Sequence, residues 1–310
     1  MTGSGEVLIL TDGKAGHENQ SRALVRALGR EAKVEHIVFK SAFHKALSYL
    51  FDRLGIYTLA LFARPKLDMA DRFAAVVGTG SGTFYAVKTL SRRFGAGSAA
   101  VLYPRGYRLS GFDCILAPRF DRPLKADNVI ELPVNLVASD ESFYERAAAE
   151  FDRIHRQRKP AVAVVVGGPN KCSEMTPQWM RKELERVFDE NPGREFYVTT
   201  SRRTPPEVEA VVDSFPFDYK LIYSRDRFNP IPAFVARAER IYVSAESTGM
   251  ISEACTFGKA RVEVMDNLLP GNHKFRRFVE SLRRDGYVGG SRKVDLSGEM
   301  GAVKARLRLA

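Results

Sequence analysis

Glycines, hydroxyls and cations recur in this chain where a β-rich run gives way to a helix. Phosphate recognition needs that mix: glycine admits the backbone, free N–H groups donate, and arginine grips two oxygens at once. The densest case is Arg240–Arg261, RIYVSAESTGMISEACTFGKAR. Ile241–Val243 reads as a buried strand, Ser244 to Gly249 as a turn, and the remainder as a short helix closed by Gly258. The N–H groups around Ser247, Thr248 and Gly249 would then be the unpaired donors of a helix amino end, a seat for phosphate. Glu253 follows Gly249 by one turn. Helical side chains lean toward the amino end, so its carboxylate would overhang a position without a side chain and leave room for a ligand hydroxyl. Diphosphate on the helix end and ribose on Glu253 would suit a nucleoside-diphosphate sugar. The same residues also make an ordinary strand–turn–helix whose Ser cap and Glu face water.

Its company decides between the two. Gly167, Gly168, Asn170 and Lys171 fall in GlyGlyProAsnLys after the apolar run Ala161–Val166, and Ser201, Arg202 and Arg203 follow the run Glu195–Thr199. Asp12, Gly13, Lys14, Gly16 and His17 follow Val7–Leu10. An imidazole titrates near neutrality, so His17 is the first choice for a general base and Asp12 the second. Each group has an ordinary alternative: Arg202 and Arg203 as a solvated surface pair, His17 as a polar helix start. GlyThrGlySerGlyThr at 78–83 lacks the full dinucleotide fingerprint and reads as a simple turn. GlyGlyProAsnLys lacks the P-loop spacing, no G-x-S-x-G elbow is present, and no Asp-x-Asp offers to hold a metal-bound diphosphate. No metal site and no cofactor beyond the sugar-nucleotide donor are expected.

The elements that must position these residues alternate. Strands are predicted near Val7–Leu10, Val34–Phe39, Ala74–Val77, Ala99–Tyr103 and Cys114–Ala117, with helices at Glu18–Leu28 and Phe84–Arg93 between them. A charged helix is predicted over Ser139–Arg158, capped by Ser139 or Ser142 and stopped by Pro160. The pattern then repeats through Glu195–Thr199, Glu207–Val212, Lys220–Tyr223, Ile231–Ala238, the Arg240–Arg261 stretch, Arg261–Val264, a helix over Asn272–Arg284 and a last one at Gly298–Leu309. Such alternation implies parallel sheets with right-handed crossovers. The fold class expected is α/β, with two Rossmann-like wound parallel-sheet domains facing a cleft. Residues 1–158 form the acceptor-side domain and 159–310 the donor-side domain, with the last helix returning to the first.

The chain has 310 residues, 45% hydrophobic and 27% charged, as a globular protein should. Its three cysteines, Cys114, Cys172 and Cys255, are scattered, which suits a reducing compartment, and the start lacks a secretory signal. A cytoplasmic location, peripheral on the inner membrane, is the expectation. The net charge of +11 favours anionic partners. The basic residues are dispersed and no recognition motif appears, so nucleic acid is not among the expected partners. One segment, 42–66, sets Phe43, Leu47, Leu50, Phe51, Leu54, Tyr57, Leu61 and Phe62 beside Lys45, Arg53, Arg64 and Lys66. That spacing fits a helix lying on an anionic membrane, and equally a helix in the core of the first domain.

GlyGlyProAsnLys, TTSRRTP, the opening TDGKAGHENQSRAL and VARAERIYVSAESTGMISEACTFGKA together resemble the mitochondrial fission "elongated mitochondria" family. Members in Gram-negative bacteria are regarded as glycosyltransferases of the GT-B type, whereas plant relatives are adaptors that recruit division machinery. The chain departs from the family at 118–121, where ProArgPheAsp keeps the acid as Asp121 but lacks a His, and at Glu246, usually Asp. It is also similar to the inverting GT-B transferase that makes the lipid-linked cell-wall precursor, whose matching positions would be Gly13–His17, Gly167–Lys171 and Glu253. Retaining relatives often carry two Glu with seven residues between them; Glu246 and Glu253 have six. The resemblance implies inverting, metal-independent transfer from a nucleotide-sugar, UDP type favoured, to a glycan or glycolipid acceptor. A non-hydrolysing nucleotide-sugar epimerase and a non-enzymatic adaptor are the alternatives.

Overall fold

In the computed structural model, which describes residues 5–63, 67–68, 70–271 and 273–309, the chain divides into two units. The first comprises Met1–Ala138 and Asp295–Ala310, the second Ser139–Val294.

The first unit runs β1 (Val7–Thr11), α1 (Ala15–Ala27), β2 (Ala32–His36), α2 (Ala42–Leu54), β3 (Ala75–Thr79), α3 (Phe84–Phe94), β4 (Gly97–Val101), β5 (Cys114–Pro118) and β6 (Val129–Leu132). Its strands form one parallel sheet ordered β2-β1-β3-β4-β5-β6. The inner strands are near-continuous apolar runs because helices cover both faces. Along β1, Val7 and Ile9 enter one core cluster with Leu24 and Val77, while Leu8 and Leu10 enter the other with Val76 and Phe84.

The second unit runs α4 (Glu141–Ile154), β7 (Ala161–Val165), α5 (Pro177–Asp189), β8 (Glu195–Thr199), α6 (Pro206–Ser214), β9 (Tyr219–Leu221), α7 (Ile231–Arg237), β10 (Ala238–Ser244), α8 (Thr248–Thr256), β11 (Arg261–Met265) and α9 (Lys274–Arg284). Its parallel sheet is ordered β11-β10-β7-β8-β9. The chain ends in α10 (Ser297–Leu307), whose Met300, Val303 and Leu307 complete a core cluster of the first unit.

Two wound parallel sheets are thus present, as expected. The predicted boundary at 158 is corrected to 138, because α4 packs with the second unit. Tyr144, Ala148 and Phe151 of that helix are buried, and Phe151 meets the rings of Tyr197, Tyr219 and Phe234. Its charged residues cover the solvent side only. Neither Ser139 nor Ser142 caps it; the Asp140 side chain accepts from the Phe143 amide at 2.9 Å.

Two elements were not expected from sequence. β6 is a four-residue edge strand with alternate residues half-buried, too short and mixed to stand out. α5 hides behind a charged composition, yet Thr176 caps it, Pro177 opens it, and Met180, Leu184 and Val187 make its inner face.

The apolar stripe of 42–66 divides. Leu47, Phe51 and Tyr57 pack against the core with buried Leu61 and Phe62, whereas Phe43, Leu50 and Leu54 are exposed. Arg64 and Lys66 lie outside the described residues. Among the described residues no helix is long and apolar enough to cross a membrane.

Candidate functional site

Wound sheets bind ligands where the strand order reverses, beyond the carboxyl ends of the two strands flanking that point. In the second unit the point lies between β7 and β10, because the chain passes from β7 to β8 on one side and returns to β10 on the other. Gly167 and Gly168 follow β7, and Ser244 to Gly249 follow β10. Sequence-distant residues therefore meet here.

The side chain joining them is Glu246, which is fully buried. Its Oε1 accepts from the Gly168 amide at 2.8 Å, Ser247 Oγ at 2.8 Å and Ser244 Oγ at 3.1 Å, while Oε2 accepts from Asn267 Nδ2 at 2.8 Å. Ser244 Oγ in turn accepts from the Gly167 amide at 2.8 Å. Only glycine fits the approach. A Cβ on Gly167 would lie 2.9 Å from Ser244 Oγ and nearer still to Glu246 and Ser247, and one on Gly168 would strike the backbone of Arg203. Ser201 Oγ and Thr204 Oγ1 donate to the Gly167 carbonyl at 2.8 and 2.5 Å, pinning the loop from its other side.

A consequence follows for α8. Ser247 spends its hydroxyl on Glu246, so it gives the helix no side-chain cap. No described residue accepts from the amides of Thr248, Gly249 and Met250. Gly249 has open space where a Cβ would stand. Three donors with the positive end of the helix dipole behind them thus face an accessible point. Arg203 is near, its guanidinium 3.9 Å from Glu246. Both arginines are exposed, and Arg202 does not join the cluster, so the predicted pair divides. Asn170 is also turned elsewhere, its Oδ1 accepting from the Cys172 amide at 2.7 Å, and Lys171 is exposed.

Glu253 is half-buried on α8, and its Oε1 accepts from Tyr144 Oη of α4 at 3.0 Å. Tyr144 is itself buried and stacked on Phe257, with ring centroids 4.5 Å apart. Burial pushes the Glu253 carboxyl above its ordinary pKa, and the Tyr144 hydrogen bond offsets part of that rise.

In the first unit the strand order reverses between β1 and β3. Asp12 and His17 stand there, with Nδ1 of His17 3.0 Å from Asp12 Oδ1. Lys14 Nζ donates to Asp12 Oδ2 at 2.9 Å. Burial acts to raise the Asp12 pKa, but the hydrogen bond from Lys14 and the charge and hydrogen bond of His17 together hold it below the ordinary carboxylate value. An ionised Asp12 can only accept, so it favours the tautomer of His17 that donates Nδ1–H to it and leaves Nε2 as the acceptor, the form a general base needs. α1 begins three residues earlier than predicted, at Ala15, so His17 lies in its first turn.

The 78–83 turn, read from sequence as a simple turn, is the wall of this pair. A Cβ on Gly80 would be 2.5 Å from His17 Cε1, and one on Gly82 would be 2.8 Å from Asp12 Cβ. Gly13 adopts φ +82° beside His36, whereas nothing crowds Gly16. The sequence pattern assigned no role to Gly80, Gly82, Thr204, Asn267 or Tyr144, and marked Glu246 only as a departure from the family and for its spacing from Glu253. The readable signal for Glu246 was an acid set between two serines at a strand end. Among the described residues no cluster of three or more His, Cys, Asp or Glu could hold a metal ion.

A family model described as mitochondrial fission ELM1 matches residues 15–299. Uncharacterized protein RP120 of Rickettsia prowazekii is 28% identical over 123 residues, a match that spans 37% of this chain and 34% of that protein. The solved UDP-GlcNAc 2-epimerase of Methanocaldococcus jannaschii aligns over 97% of this chain and 98% of its own, with 11% identity and a TM-score of 0.52. That of Neisseria meningitidis, bound to UDP-GlcNAc, aligns over 98% of this chain and 100% of its own, with 10% identity and a TM-score of 0.51. At such identities the likeness is one of fold.

Proposed function

The chain belongs to the mitochondrial fission ELM1 family, and from that premise we propose that it is an inverting, metal-independent glycosyltransferase. It would move a sugar from a nucleoside diphosphate, UDP type favoured, to a glycan or glycolipid acceptor. The observation that carries this reading is the uncapped amino end of α8, opened by Glu246 at the strand reversal of the second unit. Its free amides and Arg203 would neutralise the diphosphate as negative charge develops on the leaving group. Ribose hydroxyls would pair with Glu253. The Asp12–His17 pair would take the acceptor's proton through Nε2. The fold agrees, since one solved protein that shares it has UDP-GlcNAc bound.

A thermal-shift panel of UDP, GDP, CMP and their sugars tests the reading. Ligand at 100 times its Kd stabilises the native state by about 2.7 kcal/mol, which in a unit of this size raises Tm by about 5–10 °C. UDP or a UDP-sugar is expected to do so; no response from any nucleotide would turn the assignment toward an adaptor. Product analysis with the responding sugar then separates transfer from epimerisation.

Glu253→Gln should part stability from binding. Because the folded pKa of Glu253 is raised, its ionised form is penalised increasingly as pH rises through that value, and the penalty is absent below the ordinary 4.5. Glutamine still accepts from Tyr144 and carries no charge. The variant is expected to have a Tm at or above wild type near neutral pH, the difference closing in acid. Its nucleotide-sugar affinity should fall by about tenfold as a charge-assisted hydrogen bond is lost. Unchanged affinity would remove Glu253 from the ribose site.

A further inference from the structure

α2 is apolar on two sides: Leu47, Tyr49 and Phe51 pack against the core, and a second set of apolar residues faces out. A surface helix ordinarily buries its apolar stripe and exposes its polar one. Here the fully buried positions are Ser48 and Asp52, while Phe43 is 70%, Leu50 51% and Leu54 63% exposed. Phe43, Leu50 and Leu54 share one side of the helix by spacing, and Ile56, just beyond its Gly55 cap, continues the patch.

The orientation is locked from within. Asp52 Oδ1 accepts from Lys88 Nζ at 2.7 Å and from Tyr57 Oη at 3.1 Å, and its Oδ2 accepts from the Arg108 amide at 2.7 Å. Ser48 Oγ and Tyr107 Oη lie 2.8 Å apart. Rolling α2 to hide its leucines would strip a buried ion pair of its partners, at a cost the apolar contacts could not recover. The outward apolar face is therefore a fixed property of the fold.

The charge around it has one sign. Residues 37–63 contain a single carboxylate, Asp52, and that one is buried against Lys88. Lys40, Lys45 and Arg53 belong to the same stretch. Beginning at Tyr57, next to Ile56, a groove of ≈ 590 Å³ is lined by Tyr57, Thr58, Leu59, Thr89, Arg92 and Arg93. Arg108 reaches the carbonyl of Arg53 at 3.4 Å, bringing another guanidinium to the carboxyl end of α2. Exposed apolar residues on a segment with no exposed acid, beside a groove lined by Arg92 and Arg93, complement an anionic interface that also offers hydrocarbon.

We propose that this face of the first unit docks on an anionic lipid bilayer, Phe43, Leu50, Leu54 and Ile56 entering the headgroup–acyl boundary while Arg53, Arg92, Arg93 and Arg108 meet the headgroups. The proposal is independent of nucleotide-sugar binding by the second unit, and its test does not use that activity.

The full chain is sedimented with vesicles of phosphatidylglycerol and phosphatidylcholine, and with phosphatidylcholine alone, at low and high salt. Binding is expected to the anionic vesicles, weakened by salt as surface charge is screened. Leu50→Ser with Leu54→Ser should reduce it by about tenfold or more, since two side chains lose their burial in lipid. Arg53→Glu or Arg93→Glu should reduce it by about fivefold or more. All these positions are exposed, so Tm should stay at the wild-type value. Arg156→Glu with Lys159→Glu, changing exposed cations of the second unit, should leave binding unchanged. A wild-type chain that stays in the supernatant at low salt overturns the proposal. So does equal binding by the leucine variant, or equal loss in the Arg156 and Lys159 variant, either of which would mean net charge alone. A soluble dimer that the leucine variant dissociates, without vesicle binding, would assign the face to a second copy of the chain and overturn it as well.

Discussion

His17→Ala is expected to lower turnover of the responding nucleotide-sugar by about 10²–10⁴-fold, the usual contribution of a positioned general base. Nucleotide affinity should be unchanged, because the diphosphate seat proposed above belongs to the second unit. Stability should change little: His17 is partly exposed, and its removal merely opens the space that Gly80 now yields to the ring. Asp12→Asn makes the test specific. An asparagine amide can donate to Nδ1 where the ionised Asp12 only accepts, which transfers the imidazole proton to Nε2 and leaves no lone pair for the acceptor hydroxyl. Its loss should approach that of His17→Ala, and the double variant should be no worse than His17→Ala, since the two residues act as one unit. Single-turnover measurement beside a UDP titration separates the effects. A His17→Ala chain keeping more than half of its turnover would remove the pair from the chemistry.

The pair also shows how much of the site could be read before the fold was known. Asp12 and His17 are close in sequence, and a turn of helix suffices to bring them together. Their wall could not be found that way. Gly80 and Gly82 look like any Gly-rich turn, and only the parallel pairing of β1 with β3 sets them against His17 and Asp12. The sheets themselves were legible because buried parallel strands are apolar almost throughout, whereas β6 and α5 were missed because their composition is mixed. The boundary went astray for a related reason. The charges of α4 placed it at the end of the first domain, but its buried face needs only Tyr144, Ala148 and Phe151. Of the Arg pair, spacing could not tell which member approaches Glu246; the bend of the Ser201–Thr204 turn decides that, through the hydroxyls holding the Gly167 carbonyl.

Glu246→Ala should have the largest effect on stability, for a reason invisible in its exposure alone. Removing the carboxyl leaves the Gly168 amide, two serine hydroxyls and the Asn267 amide without their acceptor in a buried place. Each unpaired buried donor costs about 1–3 kcal/mol, less where a hydroxyl can turn to a new partner. A total of about 3–5 kcal/mol is expected, lowering the Tm of the second unit by about 10 °C or more. The released Ser247 hydroxyl would also be free to cap α8, occupying a donor now available to phosphate, so the UDP-induced shift should disappear. Glu246→Gln should behave quite differently. Its carbonyl can keep the Gly168 and serine bonds, and its NH₂ then faces Asn267 Nδ2, donor against donor. Asn267 can resolve that conflict by turning over, because its Oδ1 is buried with no hydrogen-bond partner in the present arrangement. The glutamine variant is therefore expected to lose no more than about 1–2 kcal/mol and to keep its response to UDP. Melting curves with and without UDP for both variants, and for Glu246→Gln with Asn267→Ala, check this. If Glu246→Ala melts within a few degrees of wild type and still binds UDP, Glu246 is not what holds the glycine loop and the helix end together.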